Sequence, residues 1–532
     1  MPPRASEDPA IFTDEEFAWV EAPRPAEPPP PPPPRVRPPA RRPPQTRTLA
    51  GDLARLGDAL VRSAAAVPLW ILLLLVGALL AGFLALALRD NGLRGEGEGG
   101  KAPQSAAQVP AEETPAPSAA VEKTLRLGDQ GEFVRGVQAA LNLLGFSSEA
   151  PDGLYGGSTG AAVAAFQRSR GLAGDGVVGP ATAGALANAL AEDARAEATT
   201  AGRGLTEAVA AGRLSTKSSA RYQAILADVV SQFDRLSPAR SAYLAVVVRD
   251  LAVHAPDYDE PRALTLFTMA EANARYLAGR KLRSPPSDIA DSDGVVYRFY
   301  KAHGFQFHPL ANFAKLNRLA KQGHRQKVAR LSEALVARGA PVGKTLVWEY
   351  YFSFGGPSRW TSGFVQATAA QALARSSGLL DDPALDERAR AAMNAIPAAL
   401  STEVAGGLWV REYSFSSNLI LNAQLQTLVS LLEYVEISGN SDAGALVAQL
   451  DTATRALLPR FDTGCWSLYL LDGSPAPLHY HTYHIDLLKQ LAQRTGAQFW
   501  ADYGARWERY LGTSSSAPPW SAEPSTSQAL SS

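Results

Sequence analysis

The stretch LNAQLQTLVSLL, residues 421–432, decides the fold class of this chain. Its leucines return every three or four positions, which places them on one face of an α-helix. The same spacing recurs at 225–233 and 244–251, whereas strand-like alternation is confined to short pieces such as 408–413. The pattern therefore predicts a mainly α fold for residues 203–512, in which helical hairpins follow one another and close into an α/α-toroid around a cleft.

Composition excludes several classes of protein. A chain of 532 residues with 46% hydrophobic residues is long enough for about two to four domains with packed cores. A net charge of −1 gives no indication of a nucleic-acid partner. The single cysteine, Cys465, excludes an internal disulfide framework and a multi-cysteine metal cluster. We expect Cys465 to be a partly buried structural residue.

The N-terminal part of the chain divides into three segments. Residues 1–62 are rich in proline, with an unbroken run at 28–34, and are predicted to be a disordered cytoplasmic tail. The almost purely apolar stretch 67–88 would span roughly 33 Å as a helix, so 63–89 is predicted to cross a membrane. A cleaved signal peptide is the competing interpretation, but the long tail before the apolar run argues against it. Residues 90–122 are predicted to be a linker.

The distribution of basic residues around this apolar stretch predicts its orientation. Five arginines lie between positions 41 and 62, and three basic residues lie between positions 89 and 101. Because positive charge accumulates on the cytoplasmic side, the N-terminus is expected in the cytoplasm. The protein is therefore predicted to pass once through the inner membrane.

Residues 123–192 contain two Asp-Gly turns, at 152–153 and 175–176, each followed by a helical pattern. Gly145 and Gly171 are expected to end helices. An apolar face precedes the first turn and comprises Val134, Val137, Leu141 and Leu144. With these features the segment resembles the small three-helix peptidoglycan-binding domain. The resemblance implies binding to cell-wall glycan or stem peptide and a periplasmic location for the C-terminal domains, while a degenerate copy used as a spacer stays the alternative.

Seven short motifs follow one another between residues 297 and 512: GFQFHP (304–309), WTSGFVQ (360–366), EY (412–413), LN (421–422), DTG (462–464), YHTYHI (480–485) and FWADY (499–503). With these motifs, residues 297–512 resemble the C-terminal catalytic region of D-glucuronyl C5-epimerases. The resemblance implies an isomerase that needs no cofactor and inverts C5 of uronic acid residues in a polysaccharide. Residues 203–296 carry little of this resemblance.

C5 epimerisation removes the proton alpha to the uronate carboxylate and returns one on the opposite face of the ring. The matching positions imply that Glu412 acts on one face and Tyr480 on the other. Tyr469 and Tyr413 are then expected to hydrogen-bond to the sugar. The enolate-like intermediate carries extra negative charge and therefore needs cationic or hydrogen-bonding support.

Seven further residues are predicted to bind the substrate or to support the site: Arg411, Arg359, Trp360, Gln366, His481, His484 and His308. Arg411 or Arg359 is expected to face the substrate carboxylate. The two histidines of the YHTYHI motif are expected to hold the tyrosines and their loop by hydrogen bonds. His308 is either a structural loop residue or a sugar contact, and Trp360 either stacks on a sugar or belongs to the core.

The three histidines at positions 479, 481 and 484 also allow a metal interpretation. Their His-x-His-x-x-His spacing has no standard ligand geometry, because it would straddle a loop and the start of a helix. We therefore predict no metal at this position.

Some positions depart from the epimerase pattern. These departures leave the proposed acid and base in place but affect the expected identity of the substrate. Ala423 stands where the family usually has glycine, and Ser414 where proline commonly follows the Glu-Tyr pair. The β-rich part of the animal epimerases is not evident. A bacterial capsular, exopolysaccharide or wall-associated uronan is therefore the expected partner, together with peptidoglycan and the inner membrane. Residues 513–532 are predicted to be a disordered tail.

Two other functional classes stay open at the level of sequence. A uronan lyase or hydrolase could use the same toroid, since a lyase also abstracts the C5 proton but then expels the C4 substituent. The other alternative is a non-catalytic envelope protein that binds glycans with both domains.

Overall fold

The computed structural model of the protein describes residues 124–146, 151–279, 288–300, 303–471 and 473–513. The predicted tail 1–62, membrane span 63–89 and linker 90–122 lie outside these residues, as do residues 514–532 of the predicted C-terminal tail. Within the described residues, no helix combines the length and the apolar character that crossing a membrane requires.

The mainly α fold class is confirmed, because fourteen α-helices account for most of the described residues. The first six are α1 (Glu132–Leu143), α2 (Gly157–Ser169), α3 (Pro180–Ala210), α4 (Thr216–Ser231), α5 (Pro238–Val253) and α6 (Glu260–Gly279). The next four are α7 (Pro309–Lys321), α8 (Arg325–Val336), α9 (Gly363–Leu380) and α10 (Pro383–Ala399). The last four are α11 (Leu421–Ser438), α12 (Ser441–Leu457), α13 (Leu478–Thr495) and α14 (Gln498–Thr513).

Seven short strands in the described residues form three small antiparallel sheets. One sheet contains β1 (Asp288–Ala290), β2 (Val296–Tyr300) and β3 (Gly304–Phe307), and the others are the pairs β4 (Ala340–Val342) with β5 (Thr345–Val347) and β6 (Ser401–Val404) with β7 (Gly407–Val410). Tyr297 lies opposite Phe307 in the first sheet, and Ser401 lies opposite Val410 in the last. This last hairpin matters most, because the segment that follows β7 carries Glu412.

The N-terminal helices repeat one hydrogen-bonded unit. Gln138 on α1 donates to Asp152 over 2.8 Å and accepts from the amide of Gly153, also over 2.8 Å. Gln167 on α2 makes the same pair of bonds with the second Asp-Gly turn, at 2.7 Å to Asp175 and 2.9 Å from the amide of Gly176. Both glycines have positive φ angles, 81° and 69°, which a residue with a Cβ rarely adopts. The repeated turn chemistry seen in the sequence therefore fixes two helix starts.

Helix α3 joins the peptidoglycan-binding-like segment to the helices that follow it. It runs without a break from Pro180 to Ala210, so the interval 193–202 that separated the two predicted domains lies inside a helix. Helix α5 packs against both α1 and α3. Arg249 on α5 ties these elements together, since it donates to Leu143 O at the end of α1 over 3.1 Å and to Asp193 on α3 over 2.9 Å.

The contact between α1 and α5 leaves no room for a side chain at Gly136. A Cβ atom there would lie 2.4 Å from Ala239 Cβ and 2.7 Å from Ala239 Cα. We expect Gly136→Ala to lower the free energy of unfolding by about 1–3 kcal/mol, because α1 must move away from α5. Urea unfolding of the purified protein measures this change. In the matched variant Gly184→Ala, the new methyl on α3 meets no atom within 4 Å, so stability should stay equal or rise by up to about 1 kcal/mol. Equal effects of the two substitutions would contradict the close packing of α1 on α5.

The C-terminal helices form two layers. One row consists of four neighbouring helices, α7, α9, α11 and α13. Each of them packs against the helix that follows it in the chain, and these partners, α8, α10, α12 and α14, form the second row. The first-row helix α9 is buried along most of its length, from Gly363 to Ser377. Helix α11 is buried in the same way, with consecutive buried residues from Leu421 to Leu431. Successive hairpins of this kind fit the expected architecture, and closure of the row into a toroid stays a prediction.

Candidate active site

Glu412 lies on a short segment that is held at both ends. The amide of Arg411 bonds to Leu400 O over 2.8 Å, and the Arg411 carbonyl accepts from the amide of Gly363 at the start of α9 over 2.9 Å. Two residues on, the amide of Ser414 bonds to Thr361 O over 2.9 Å. Glu412 and Tyr413 therefore leave the β6–β7 hairpin in a fixed direction.

Gly363 explains why this segment can lie so close to α9. A Cβ atom on Gly363 would lie 2.6 Å from Val410 Cγ2 and 2.7 Å from Leu400 O. Any larger residue would push the Glu412 segment away from the helix, which assigns a packing role to the glycine of the WTSGFVQ motif.

Tyr469 and Tyr480 reach the same region from two other elements. Tyr469 lies in the loop after residue 461, and its carbonyl accepts from the amide of Leu421, the first residue of α11, over 3.1 Å. Tyr480 lies in the first turn of α13 and is 5% exposed. The site is thus built where a hairpin, a loop and the first turn of a helix meet.

The four residues predicted to be catalytic lie together. The rings of Tyr469 and Tyr480 are 4.7 Å apart between centroids. The charge on Glu412 acts on both Tyr413 and Tyr469, and so does the neighbouring Tyr480. We call Glu412, Tyr413, Tyr469 and Tyr480 the carboxyl–tyrosine cluster.

Burial changes the acidity of Glu412. The side chain is 4% exposed, and this desolvation raises its pKa to about 7, while the neighbouring Tyr413 hydroxyl opposes the rise. A carboxyl group with a pKa near neutrality can exist in either protonation state under physiological conditions. It is therefore suited to accept a proton from carbon and to release it again.

Two tyrosines of the cluster, Tyr413 and Tyr469, also have raised pKa values. Burial raises the pKa of Tyr413 and of Tyr469 well above the usual value, and the negative charge of Glu412 adds to both shifts. Both phenols are therefore neutral O–H groups at neutral pH. Within the described residues, Tyr413 Oη, Tyr469 Oη and Glu412 Oε2 are buried and incompletely hydrogen-bonded. Tyr413 lies against the Glu412 carboxyl and Tyr469 against Tyr480, but none of the three atoms has a well-aligned partner. Such atoms are rare in folded proteins, and three in one cluster indicate a binding site for a polar ligand.

An aromatic wall that the sequence analysis did not identify borders this cluster. Trp360 stacks on Tyr350 with ring centroids 4.0 Å apart and meets Tyr413 edge-on at 5.4 Å. Its indole N–H donates to Phe352 O over 2.9 Å, so Trp360 is a buried part of the wall. The half-buried ring of Phe354 lies 5.8 Å from that of Tyr413 and forms the more exposed edge. The signal in the sequence was the alternation of aromatic residues at 348, 350, 352 and 354, which is typical of an extended segment.

The two arginines predicted to face the substrate carboxylate are engaged elsewhere. Arg411 donates from Nε to Thr402 Oγ1 on β6 over 2.9 Å, which directs its side chain along the hairpin. Arg359 pairs with Asp257 at 2.9 Å and lies 3.7 Å from Glu349. A guanidinium beside Glu412 would lower its pKa, and neither arginine contributes to the shift of that group. The structure therefore does not bring Arg411 or Arg359 into the carboxyl–tyrosine cluster.

Arg298 carries a positive charge that acts on the aromatic wall. It forms a bidentate pair with Asp288, at 2.8 and 2.9 Å, and its charge acts on Tyr300 and Tyr350. Arg298 was not among the predicted site residues, because the strand pair formed by residues 288–300 was not predicted from the sequence. Arg298 balances the charge of Asp288 and adds a fixed positive end to one side of the wall.

His481 and His484 support the loop that carries Tyr469. His481 Nδ1 accepts from the amide of Ser467 over 3.2 Å, and His481 Nε2 donates to Trp507 O over 3.2 Å. The Ser467 hydroxyl lies 2.7 Å from His481 Nδ1 and 2.9 Å from His484 Nδ1. Burial lowers the pKa of His481 to about 4 and that of His484 well below its usual value, so both rings are neutral near pH 7. These contacts agree with the expected role as a support for the loop.

Replacement of Ser467 tests this support. We expect Ser467→Ala to lower the free energy of unfolding by about 1–3 kcal/mol, because two buried imidazoles lose their shared hydroxyl partner. The matched variant Ser474→Ala changes an exposed serine on the same loop and should stay within about 0.5 kcal/mol of the parent protein. Urea unfolding at pH 7 measures both. A neutral Ser467→Ala would mean that the two imidazoles do not depend on this hydroxyl.

His308 and Gln366 also lie at buried positions. His308 Nδ1 accepts from the amide of Ala311 over 3.0 Å and caps the start of α7, which favours the structural interpretation of this residue. Gln366 donates to Thr361 Oγ1 over 3.1 Å, and its Oε1 atom is buried without a partner in the described residues. Gln366 thus holds the segment that pairs with Ser414, next to Tyr413.

The metal interpretation of the histidines gains no support from the structure. In the described part of the chain, no group of three or more histidine, cysteine, aspartate or glutamate side chains is arranged to hold a metal ion. Ser467 lies between His481 and His484 and satisfies both Nδ1 atoms. Cys465 is exposed, which differs from the partly buried position expected for it.

Comparison with solved structures gives weak similarities. The cellobiose 2-epimerase from Bacillus thermoamylovorans B4167 matches 46% of this chain and 70% of its own, with 11% sequence identity and a TM-score of 0.34. An endoglucanase from Komagataeibacter sucrofermentans matches 40% of this chain and 72% of its own, with 10% identity and a TM-score of 0.27.

Comparison with protein families gives matches at two positions of the chain. Residues 130–186 match the family described as putative peptidoglycan binding domain. Residues 342–509, which contain the carboxyl–tyrosine cluster, match the family described as D-glucuronyl C5-epimerase C-terminus. Both resemblances noted in the sequence are confirmed, in the predicted order. The chain therefore contains, in this order, a segment that matches the putative peptidoglycan-binding family and a segment that matches the D-glucuronyl C5-epimerase C-terminus family.

Proposed function

We propose that this protein is a carbohydrate epimerase that inverts C5 of uronic acid residues in a polysaccharide. The observation that carries the proposal is the buried carboxyl of Glu412, with a pKa of about 7, beside three tyrosines. Two tyrosine hydroxyls and one carboxylate oxygen in this cluster have no well-aligned hydrogen bond among the described residues. A polar ring with a carboxylate substituent offers the acceptors and donors that these atoms lack.

In the first step, ionised Glu412 accepts the proton from C5. The electron pair of the broken C–H bond moves into the adjacent carboxylate and produces an enediolate. A base with a pKa near 7 serves this step better than an ordinary carboxylate does, because it binds the abstracted proton more strongly. Burial of Glu412 supplies that change in acidity without a metal.

The enediolate then requires hydrogen-bond donors. Tyr413 and Tyr469 supply them, because burial keeps both phenols protonated. Donors fixed in a water-poor site stabilise developing negative charge more than donors in water do. In this mechanism neutral tyrosines, rather than Arg411 or Arg359, stabilise the negative charge of the intermediate.

In the second step, Tyr480 donates its hydroxyl proton to the opposite face of C5. The double bond of the enediolate becomes the new C5–H bond and the restored carboxylate, which leaves tyrosinate at 480 and a neutral Glu412. One proton must then return from Glu412 to Tyr480. The adjoining hydroxyls of Tyr413 and Tyr469 offer a route, since Tyr469 lies against Tyr480 and Tyr413 lies beside Glu412.

The proposal includes the location of the enzyme. The apolar stretch 67–88 supports a single membrane span at 63–89, and the peptidoglycan-binding domain supports a periplasmic site for the residues after it. Retention at the wall would hold the epimerase near a wall-associated or exported uronan. Fusions of alkaline phosphatase after residue 60 and after residue 120 test the topology: we expect activity for the second fusion alone, and the reverse pattern would refute this location.

Proton exchange tests the activity itself. The purified protein is incubated in deuterated water with a panel of uronans, and deuterium at C5 is measured by NMR. We expect deuterium at C5 together with inversion and without chain cleavage. An unsaturated uronate chromophore would instead identify a lyase. Binding to purified sacculi without exchange on any uronan would favour the non-catalytic alternative.

A further inference from the structure

A cavity lies on the side of the molecule formed by α4, α6 and α8. Its volume is about 420 Å³, and the turn between β1 and β2 closes one side of it. None of the residues that line it belongs to the carboxyl–tyrosine cluster or to the aromatic wall. This volume lies in the lower part of the range of pockets that hold small ligands, roughly 300–1,000 Å³.

The floor of the cavity contains a buried guanidinium. Arg338 is 3% exposed and donates to Ala334 O over 2.7 Å and to Thr268 Oγ1 over 3.1 Å. Asp291 lies 3.6 Å from the same guanidinium and also accepts from the Tyr297 hydroxyl over 2.9 Å. Within the described residues, the Nε atom of Arg338 is buried and has no hydrogen-bond partner. The floor therefore contains a buried guanidinium whose set of hydrogen bonds is incomplete.

The rim of the cavity carries both signs of charge. Arg275 pairs with Glu271 at 2.8 Å. Arg221 on α4 and Arg330 on α8 also line the cavity. Neither takes part in an ion pair among the described residues. Arginine donors at the floor and at the rim suit a planar carboxylate, which accepts two N–H bonds at once. Carboxylate oxygens at the rim suit the hydroxyl groups of a sugar.

The lining narrows the class of ligand further. It contains no aromatic ring, so a ligand recognised by stacking, such as a nucleobase, has no partner here. Four arginines and four acidic residues line the cavity, so their charges balance and a polyphosphate would gain little. A ligand with one carboxylate and several hydroxyls matches this set.

Strand β2 lies between the cavity and the candidate active site. The side chains of neighbouring strand residues point to opposite faces. Tyr297 accordingly contacts Asp291 at the cavity, whereas Arg298 acts on Tyr300 and Tyr350 in the aromatic wall. A ligand in the cavity would therefore bind on the far side of the strand from the wall.

We propose that this cavity is a second binding site for a uronate sugar of the polysaccharide, separate from the site at Glu412. It would hold one stretch of the polymer by a carboxylate on Arg338, with Arg221 and Arg330 at the rim. The proposal rests on the proposed function for the identity of the sugar and not for the existence of the site.

Isothermal titration calorimetry on the full chain tests the proposal. A uronate tetrasaccharide is titrated into the Glu412→Gln protein, which binds substrate without turnover. We expect two binding events. In the same background, the double variant Arg221→Gln/Arg330→Gln should weaken one of them by about tenfold or more, because charge-assisted bonds to the carboxylate are lost. The control Arg388→Gln/Arg390→Gln removes two exposed arginines on α10 and should leave both events unchanged.

Three results decide the matter. A single binding event that Arg221→Gln/Arg330→Gln does not alter would overturn the proposal, even if C5 exchange is observed. Binding of a muropeptide in place of the uronate at the arginine-dependent event would also overturn it. Two events with the predicted arginine dependence, in a protein that exchanges no C5 proton, would uphold the second site while refuting the proposed function. Arg338 is left unchanged in these tests because it is buried in a hydrogen-bonded floor.

Discussion

Replacement of Glu412 by glutamine is expected to abolish C5 proton exchange, with a fall in kcat/KM of at least about 10³-fold. Glutamine keeps the size and the hydrogen-bonding shape of the side chain but cannot accept a proton from carbon. The loss should therefore appear in the chemical step, with substrate binding close to that of the parent protein. Deuterium incorporation measured by NMR, combined with calorimetric binding of the same oligosaccharide, separates the two contributions.

The same substitution should also change the dependence of stability on pH. The pKa of Glu412 rises from 4.5 in a solvated chain to about 7 in the folded protein, because its ionised form is buried. Below pH 4.5 the burial of Glu412 does not change the free energy of unfolding. This free energy falls as the pH rises from 4.5 to 7, and above pH 7 the decrease reaches its full value, about 3 kcal/mol. The Glu412→Gln protein lacks this ionisation. We therefore expect it to be more stable than the parent protein at pH 8 and to approach the parent at pH 4.

The matched control for both effects is Glu403→Gln. Glu403 lies on β6 of the same hairpin, but its side chain is exposed. Its substitution should leave exchange and the pH dependence of unfolding unchanged. Exchange at the parent rate in Glu412→Gln would remove this residue from the mechanism, and a stability difference that does not vary with pH would contradict the burial of an ionisable carboxyl at position 412.

The helices and the cluster could be predicted from the sequence because their signals are local. The leucine spacing predicts α11, a helix whose faces are nearly all buried. The Asp-Gly pairs of the N-terminal domain predict turns in which the glycine has a positive φ angle. The four catalytic candidates were found through motifs whose residues lie close together in the folded protein. Glu412 and Tyr480 are 68 positions apart by residue number, so their proximity follows from the resemblance and not from spacing.

The partners of the charged residues could not be predicted in this way. Arg411 is adjacent to Glu412 in the sequence, but its side chain bonds to Thr402 on β6 of the hairpin. Arg359 pairs with Asp257, about a hundred positions away in the chain. This contact depends on tertiary packing, which a local sequence pattern does not predict. The β1–β3 sheet was missed for a related reason: its strands have three to five residues, too few for a clear alternation. Arg298, on β2, was missed with it.

Replacement of Tyr480 by phenylalanine is expected to separate exchange from inversion. If Glu412 and Tyr480 act on opposite faces, the variant can still remove and return the C5 proton on the Glu412 face. Substrates whose C5 proton faces Glu412 should therefore incorporate deuterium with retention of configuration, while inversion falls by about 10²- to 10⁴-fold. The epimer whose proton faces Tyr480 should show neither exchange nor inversion. NMR of each purified epimer in deuterated water distinguishes these outcomes.

Tyr483→Phe provides the control, because Tyr483 lies on the same helix, one turn further along. Its hydroxyl donates to Gln426 Oε1 over 2.6 Å and takes no part in the proposed chemistry. Loss of this hydroxyl should lower stability modestly, by about 0.5–1.5 kcal/mol, and should leave the ratio of inversion to exchange unchanged. An equal loss of exchange for both epimers in Tyr480→Phe would argue that one group serves both faces. The tyrosine would then position the sugar, and Glu412 would have to act with a different partner on the opposite face.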